Sequence, residues 1–153
     1  MRISEAISSG KYHSLGVWNR NIKVKITNFY KLDLKTLEET DNFRWHEDDE
    51  SQTPLNEYSN IWVLDVEFLN LSKKPKNNNI VKRYIKIIDK ESFFYESIDG
   101  IDDLGNKELI GDKLKVFSYG RRTNPKISRN GSIAFELPDF VTPESHELEI
   151  NLD

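Results

Sequence analysis

The segment IWVLDVEFLNLSKKPKN, residues 61–77, decides the fold. Apolar residues alternate with polar ones along its first half, which predicts a β-strand with one face in the core. Ile61 and Val63 make the start of the strand apolar on the second face as well, as expected of a central sandwich strand. Ser, Lys, Pro and Asn after residue 71 are typical of an exposed turn. The predicted core-facing residues are Trp62, Leu64, Val66 and Phe68.

Short alternating runs recur along the rest of the chain and predict further strands. They lie at residues 22–26, 83–88, 92–95, 114–118, 133–137 and 148–152, with turn-forming residues between them. Two short helices are predicted, at residues 4–9 and 32–40, and no amphipathic helix of four turns is found. About seven short strands in this order predict an all-β protein, an antiparallel β-sandwich with a short helix near its N-terminus.

Length and composition restrict the organisation and the chemistry. A chain of 153 residues has the size of one domain, and we predict a single domain with residues 1–19 as an N-terminal extension and residues 20–152 as the sandwich. The formal net charge of −4 argues against a general affinity for nucleic acid or anionic membranes, although it does not exclude local patches. The absence of Cys excludes disulfides, thiolate zinc sites and a cysteine nucleophile.

No apolar run has the length of a signal-peptide core or a membrane span. If a leader was removed, we expect the protein outside the cell or at its surface; if Met1 is the native start, we expect it in the cytoplasm.

Two motifs carry a resemblance to a known family. The first comprises Val63, Asp65, Val66, Asn70, Ser72, Lys74 and Pro75, and the second comprises Asn130, Gly131, Phe135, Leu137 and Pro138. With these motifs, residues 20–152 resemble the bacterial extracellular immunoglobulin-like domains of unknown function, a telokin-like family of secreted proteins and surface lipoproteins. The resemblance implies an immunoglobulin-like sandwich with an adhesive or ligand-binding role and no catalytic residues. Asn130 stands where the family commonly has Pro, and the chain has no lipid-attachment Cys.

Positive charge concentrates in the segment YGRRTNPKISRNG, residues 119–131, which contains Arg121, Arg122, Lys126 and Arg129. Guanidinium groups form bidentate hydrogen bonds to oxyanions, so a loop of this kind can bind a phosphate, a sulfated sugar or an acidic partner. The alternative is a basic hairpin that serves only solubility. Trp45, whose neighbours are all polar, is a second candidate contact for a partner, whereas Trp18 is expected to complete the core.

Acidic loops are candidate calcium sites. Asp99, Asp102 and Asp103 lie in a glycine-containing loop, and a second acidic stretch spans residues 39–52. Carboxylates are calcium ligands, but neither spacing matches a defined calcium loop, and solvated surface turns explain both segments. No other cofactor is expected. The three histidines are far apart in sequence, and no nucleophile elbow, phosphate loop or dinucleotide motif occurs.

The sequence therefore predicts a non-enzymatic binding or interaction module for a protein or glycan ligand, in an exported or cell-surface bacterial protein. Two alternatives stay open. One is a carbohydrate-active accessory protein that uses a pair of loop carboxylates. The other is a structural protein of a phage or another assembly, in which copies of the sandwich pack against one another.

Overall fold

Antiparallel sheets make up the fold in the computed structural model, which describes residues 1–32, 60–98, 121–142 and 148–152. The predicted all-β sandwich and its short N-terminal helix are confirmed. In chain order, the elements of this described part are α1 (Ile3–Ser9), β1 (His13–Leu15), β2 (Asn19–Lys31), β3 (Ile61–Asn70), β4 (Lys76–Asn77), α2 (Ile80–Tyr84), β5 (Lys86–Ile88), β6 (Phe94–Tyr95), β7 (Arg122–Thr123), β8 (Ser128–Glu136) and β9 (Glu149–Asn151).

The larger sheet has the strand order β1-β2-β3-β8, and every neighbouring pair is antiparallel. β3 lies inside this sheet as predicted, because Val66 is opposite Ile26 on β2 and opposite Gly131 on β8. Ile61 and Val63 are fully buried, so the first residues of β3 have both faces covered. This arrangement fits the apolar start of the strand.

A smaller sheet, with the order β6-β5-β9, contributes the other side of the core. Side chains of both sheets and of both helices pack together in one cluster. Because this cluster joins elements from both ends of the chain, it stabilises the domain by hydrophobic burial as one unit. Its largest fully buried members are Trp62, Phe68, Phe135, Leu15, Ile22, Ile26, Leu64, Ile85 and Ile87.

β2 continues beyond its predicted end at residue 26 because it contains a bulge. The register shifts between Ile26 and Asn28, and the Thr27 hydroxyl donates a hydrogen bond of 3.1 Å to the Asp65 carbonyl. One extra residue changes which side chains face the core. Phe29 consequently packs against the core, where its ring stacks on Trp62 with the ring centroids 4.8 Å apart.

The strand predicted at residues 83–88 is shorter in the structure. Residues 80–84 form α2 instead, and the Ile85 amide donates a 3.1 Å hydrogen bond to the Val81 carbonyl. Val81 and Ile85 are both buried, and their spacing of four fits a helical turn as well as an apolar run. The predicted turn at residues 89–91 is present, since the Asp89 carboxylate accepts the amides of Glu91 and Phe93.

Residues 1–19, predicted as an extension, contribute a helix and a strand to the sandwich. The Ile3 amide donates to the Leu148 carbonyl at 3.0 Å, and the Ile150 amide donates to the Met1 carbonyl at 2.8 Å. β1 pairs with β2 in a hairpin. Trp18, predicted as a core residue, lies at the tip of this hairpin and is 90% exposed, so that prediction is wrong.

The predicted strand at residues 114–118 lies outside the described residues, as does the predicted helix at 32–40 apart from Leu32. In the described part of the chain, no helix has the length and apolar character needed to cross a membrane.

Candidate functional site at a cationic end of the sandwich

Asn70, the last residue of β3, organises one end of the larger sheet. Its side chain is fully buried and donates two hydrogen bonds of 2.9 Å, one to the Lys74 carbonyl and one to the Thr123 carbonyl. Its side-chain oxygen accepts the amide of Ser72 at 2.9 Å and the hydroxyl of Ser72 at 2.6 Å. Both donors and the acceptor oxygen of this amide are used, so the Asn-x-Ser-x-Lys-Pro motif here closes a turn.

The backbone of Asn70 binds the turn that precedes β8. Its amide donates to the Ile127 carbonyl at 3.2 Å, and its carbonyl accepts the Lys126 amide at 2.6 Å. Lys126 has a positive φ of 65°, a conformation that is unfavourable for a side chain with a Cβ and is held here by that hydrogen bond. The turns at residues 71–75 and 124–127 are therefore fastened to the same residue.

Asn78 and Thr123 add a second connection between these turns. The Thr123 hydroxyl donates to the Asn78 side-chain oxygen at 2.5 Å, and the backbone amide of Asn78 donates to the Arg121 carbonyl at 2.9 Å. Both side chains are buried. The short strands β4 and β7 pair beside them, with Asn77 opposite Arg122. Buried polar groups that are hydrogen-bonded in this way hold the two turns in one geometry.

Cationic side chains surround this network. Arg121, Arg122, Lys126 and Arg129 are all exposed, and they remain the predicted partner-binding residues. They do not form one loop, because Arg122 belongs to β7 and Arg129 belongs to β8. The structure adds Lys residues of the other turn, two of them exposed and one half-buried. We call this surface the cationic end; its residues are Lys73, Lys74, Lys76, Arg121, Arg122, Lys126 and Arg129.

The distribution of charge along the sequence indicates this surface more clearly than the single segment at residues 119–131 does. Residues 6–32, 71–88 and 121–135 together hold 15 of the 22 Lys and Arg residues and none of the 26 Asp and Glu residues. Each of these segments contributes a strand of the larger sheet or a turn next to it, and residues 71–88 also contain α2 and β5 of the smaller sheet. A net charge of −4 thus conceals a strong separation of charge along the chain.

Trp45 and the predicted calcium ligands Asp99, Asp102 and Asp103 lie outside the described residues, as does the acidic stretch at 39–52. Among the residues that the structure describes, no group of three or more His, Asp or Glu side chains is placed to hold a metal ion.

The outer face of the larger sheet carries a bonded carboxylate, Glu67. The Tyr12 hydroxyl donates to its Oε1 atom at 2.6 Å, and the Lys25 Nζ atom lies 2.9 Å from its Oε2 atom. The Tyr12 hydrogen bond and then the Lys25 interaction lower the pKa of Glu67 below its usual value. A general acid for glycoside hydrolysis needs a raised pKa, so Glu67 is unsuited to that role.

A groove of about 280 Å³ lies beside α2. Lys82, Arg83 and Lys86 line it together with Glu96, and Lys86 and Glu96 form an ion pair of 3.6 Å. The groove is polar and half open. It is less strongly cationic than the turns around Asn70, because this carboxylate offsets part of its charge.

Solved structures resemble this chain in fold. The yjhA protein from Bacillus subtilis has a TM-score of 0.52 at 9% identity, over 92% of this chain and 77% of that one. A conserved hypothetical protein from Bacillus anthracis has a TM-score of 0.45 at 12% identity, over 83% of this chain and 78% of that one. For the secreted protein MPT63 from Mycobacterium tuberculosis, the TM-score is 0.43 at 7% identity, over 76% of this chain and 66% of that one.

No protein-family model matches the chain, and no curated protein sequence matches it. The likeness to the yjhA protein supports the β-sandwich fold. At such identity it carries no inference on function.

Proposed function

We propose that this chain is a non-enzymatic binding module and that its cationic end binds an anionic partner. The observation that carries the proposal is the Asn70 network. It brings together Lys74 and Thr123, two positions 49 residues apart, and thereby joins two basic turns. Neither turn alone has the charge of the combined surface.

Two physical features support binding of an anion at this surface. Asn70, Asn78 and Thr123 are buried. The Asn70 side chain donates to the Thr123 backbone carbonyl, and the Thr123 hydroxyl donates to the Asn78 side chain. The backbone that carries the cations is therefore ordered before a ligand arrives, which reduces the entropy lost on binding. The turns at residues 71–75 and 124–127 contain cations and no carboxylate. The charge of these turns is therefore positive and attracts an external anion.

The resemblance of the Asn70 and Gly131 motifs to extracellular immunoglobulin-like domains supports two finer statements. We place this protein outside the cell or at its surface, and we assign its sandwich to the immunoglobulin-like type. A protein of that kind meets anionic polymers and acidic protein surfaces as potential ligands.

Heparin, used as a model polyanion, tests the proposal. The whole protein is acidic at neutral pH, so retention on immobilised heparin requires a local cationic surface. We expect the wild type to be retained at low salt. The triple variant Arg122→Ala, Lys126→Ala, Arg129→Ala should bind at least about threefold more weakly, since exposed ion pairs contribute roughly 0.2 to 1 kcal/mol each.

Lys11→Ala and Lys31→Ala provide the matched control, because both cations are exposed and neither belongs to the cationic end. These variants should elute with the wild type. Failure of the wild type to bind, or an equal loss in control and triple variants, would overturn the proposal. Circular dichroism and thermal melting of each variant exclude misfolding as the cause.

A further inference from the structure

The β1–β2 hairpin presents an apolar tip to solvent. Val17 is 67% exposed and Trp18 is 90% exposed, and the Trp18 value is the largest among the large hydrophobic residues that the structure describes. Gly16, with a φ of 69°, permits the tight turn between the strands. A fully exposed indole is unusual. Because Trp18 is not buried, it adds no hydrophobic burial to the folded state, and its exposure indicates a role in binding.

The strand register places this tip at the cationic end. Ile22 is opposite Asn70 across β2 and β3, and the Leu71 amide donates to the Asn21 carbonyl at 2.8 Å. The tip precedes Ile22 by four to five residues, and it projects about 10 Å past Asn70 because a strand rises about 3.3 Å per residue. Trp18 therefore lies at the same end of the sheet as the turns that carry Lys73 and Lys126.

Further exposed apolar and cationic side chains lie on those turns and on β2. Leu71 is 47% exposed and Ile127 is 40% exposed. Leu71 follows Asn70 in the chain, and the Ile127 carbonyl accepts a hydrogen bond from the backbone amide of Asn70. Arg20, exposed on β2, and Lys73 and Lys126 on the neighbouring turns supply charge around these apolar groups. One end of the sandwich thus combines a protruding aromatic tip with a surrounding set of cations.

We propose that this end of the sandwich binds the surface of an anionic lipid bilayer, with Val17 and Trp18 inserted among the headgroups and the cationic end bound to lipid phosphates. The inference rests on the proposed function and names the anionic partner. Trp is favoured at the boundary between water and hydrocarbon, and each Lys or Arg near an anionic leaflet contributes about fivefold to binding. The surface of an anionic bilayer therefore binds an exposed Trp and a set of cations at the same time.

The shape of the surface favours a bilayer over a glycan or a protein. Sugars and peptides are bound in concave or flat sites, where aromatic side chains line a pocket and polar groups fix orientation. Here Trp18 is 90% exposed at a hairpin tip, and the aliphatic side chains of Leu71 and Ile127 are exposed at the same end of the sheet. Val17, next to Trp18, borders an open depression that Arg20 and Lys23 also line. A fluid interface accommodates an exposed apolar tip without a matching pocket.

Net charge alone predicts no affinity for anionic membranes, and the charge separation explains why this surface differs. Carboxylates are absent from residues 6–32, 71–88 and 121–135, which contain the hairpin tip and both turns that are bonded to Asn70. Exposed charges interact strongly only within about 8 Å at physiological salt, so the local cations of the tip and turns matter more for binding than the net charge of the chain.

Co-sedimentation of the full chain with vesicles tests the inference. We expect binding to vesicles of phosphatidylcholine mixed with phosphatidylglycerol and none to phosphatidylcholine alone. Trp18→Ala should weaken vesicle binding about tenfold or more, given the apolar area of an indole, while leaving heparin retention within about twofold, the range of a surface substitution. Trp18→Phe should retain most of the vesicle binding.

Phe140→Ala is the matched aromatic control, because Phe140 is 73% exposed and follows β8, at the opposite end of the sheet. It should bind vesicles as the wild type does. Heparin binding without vesicle binding overturns this inference and leaves the proposed function standing, whereas loss of both overturns both. If Trp18→Ala binds vesicles as the wild type does, insertion is overturned and the protein only adsorbs to the charged surface. If Trp18→Ala loses heparin binding, insertion is also overturned and a glycan is the better ligand.

Discussion

The side-chain amide of Asn70 donates a 2.9 Å hydrogen bond to the carbonyl of Thr123, 53 residues further along the chain. The same amide closes the local turn through the Lys74 carbonyl, 4 residues away. One side chain thus joins a local motif to a distant segment. Because this contact positions the basic turns, the stability of the fold and the geometry of the cationic end depend on the same residue.

Replacing Asn70 with Ala should destabilise the protein by about 2 to 4 kcal/mol, because several buried polar groups lose their partners together. These groups are the Lys74 and Thr123 carbonyls and the Ser72 amide. Urea denaturation measures the free energy of unfolding. Asn130→Ala, an exposed Asn on β8, is the control and should change it by less than about 0.5 kcal/mol; equal effects would contradict the assigned role of Asn70.

Glu67 should make stability depend on pH in the acid range. Tyr12 and Lys25 hold its folded pKa below the usual 4.5, so its contribution is present above that pH and is lost as pH falls through the folded pKa. Glu67→Gln should be less stable than the wild type by about 1 kcal/mol near neutrality, and the gap should close on acidification. Urea midpoints measured across this range test it; a constant gap would contradict the argument.

Tyr12→Phe should reproduce part of this effect, because it removes the 2.6 Å hydrogen bond to Glu67 and keeps the ring. The loss of one charge-assisted bond should raise the Glu67 pKa towards its usual value. The double variant Tyr12→Phe, Glu67→Gln should lose less free energy of unfolding than the sum of the losses in the two single variants. Strictly additive free energies of unfolding would show that the hydroxyl acts elsewhere.

Alternation of apolar residues predicted the sandwich and the position of β3 correctly, because a strand inside a sheet needs both its faces and its register specified by side chains. The same approach ended β2 at residue 26, since a bulge changes the phase of alternation without a distinctive residue. Alternation also predicts that β5 begins at residue 83, which lies within α2. Val81 and Ile85 are apolar and four apart, so either structure buries them.

The candidate site was predictable only in part. Arg121 and Arg122 are adjacent in sequence, so their segment is recognisable as basic without a structure. Their association with Lys73 and Lys74 is a non-local contact made by Asn70, and local composition contains no information on such pairing. Sequence alone favours a core position for Trp18 because most Trp residues are largely buried, whereas its position at a hairpin tip depends on where β1 turns.

Phe29 provides a test of the bulge. Its ring stacks on Trp62 with an interplanar angle of 24° only because the extra residue in β2 turns it towards the core. Phe29→Ala should destabilise the protein by about 2 kcal/mol, less than for a fully buried Phe because the side chain is partly exposed. Phe93→Ala, at a position 60% exposed, should change the free energy of unfolding by less than about 0.5 kcal/mol.

Ile3 tests whether residues 1–19 belong to the folding unit of the sandwich. Ile3 is buried in the core, and its amide is bonded to Leu148. Ile3→Ala should therefore destabilise the whole domain by about 2 to 4 kcal/mol, the usual effect of removing a buried aliphatic side chain. It should do so in a single cooperative transition, because α1 has only seven residues and a helix of that length is not stable by itself.

The control for Ile3 is Leu71→Ala, which removes an aliphatic side chain that is 47% exposed. Far-ultraviolet circular dichroism and intrinsic fluorescence, followed together in urea, distinguish the two descriptions of the N-terminus. If residues 1–19 were an extension, Ile3→Ala would leave the main transition unchanged and only alter the helical signal. If they are part of the sandwich, both signals should shift to lower urea together, because the core that Ile3 fills is shared by both sheets.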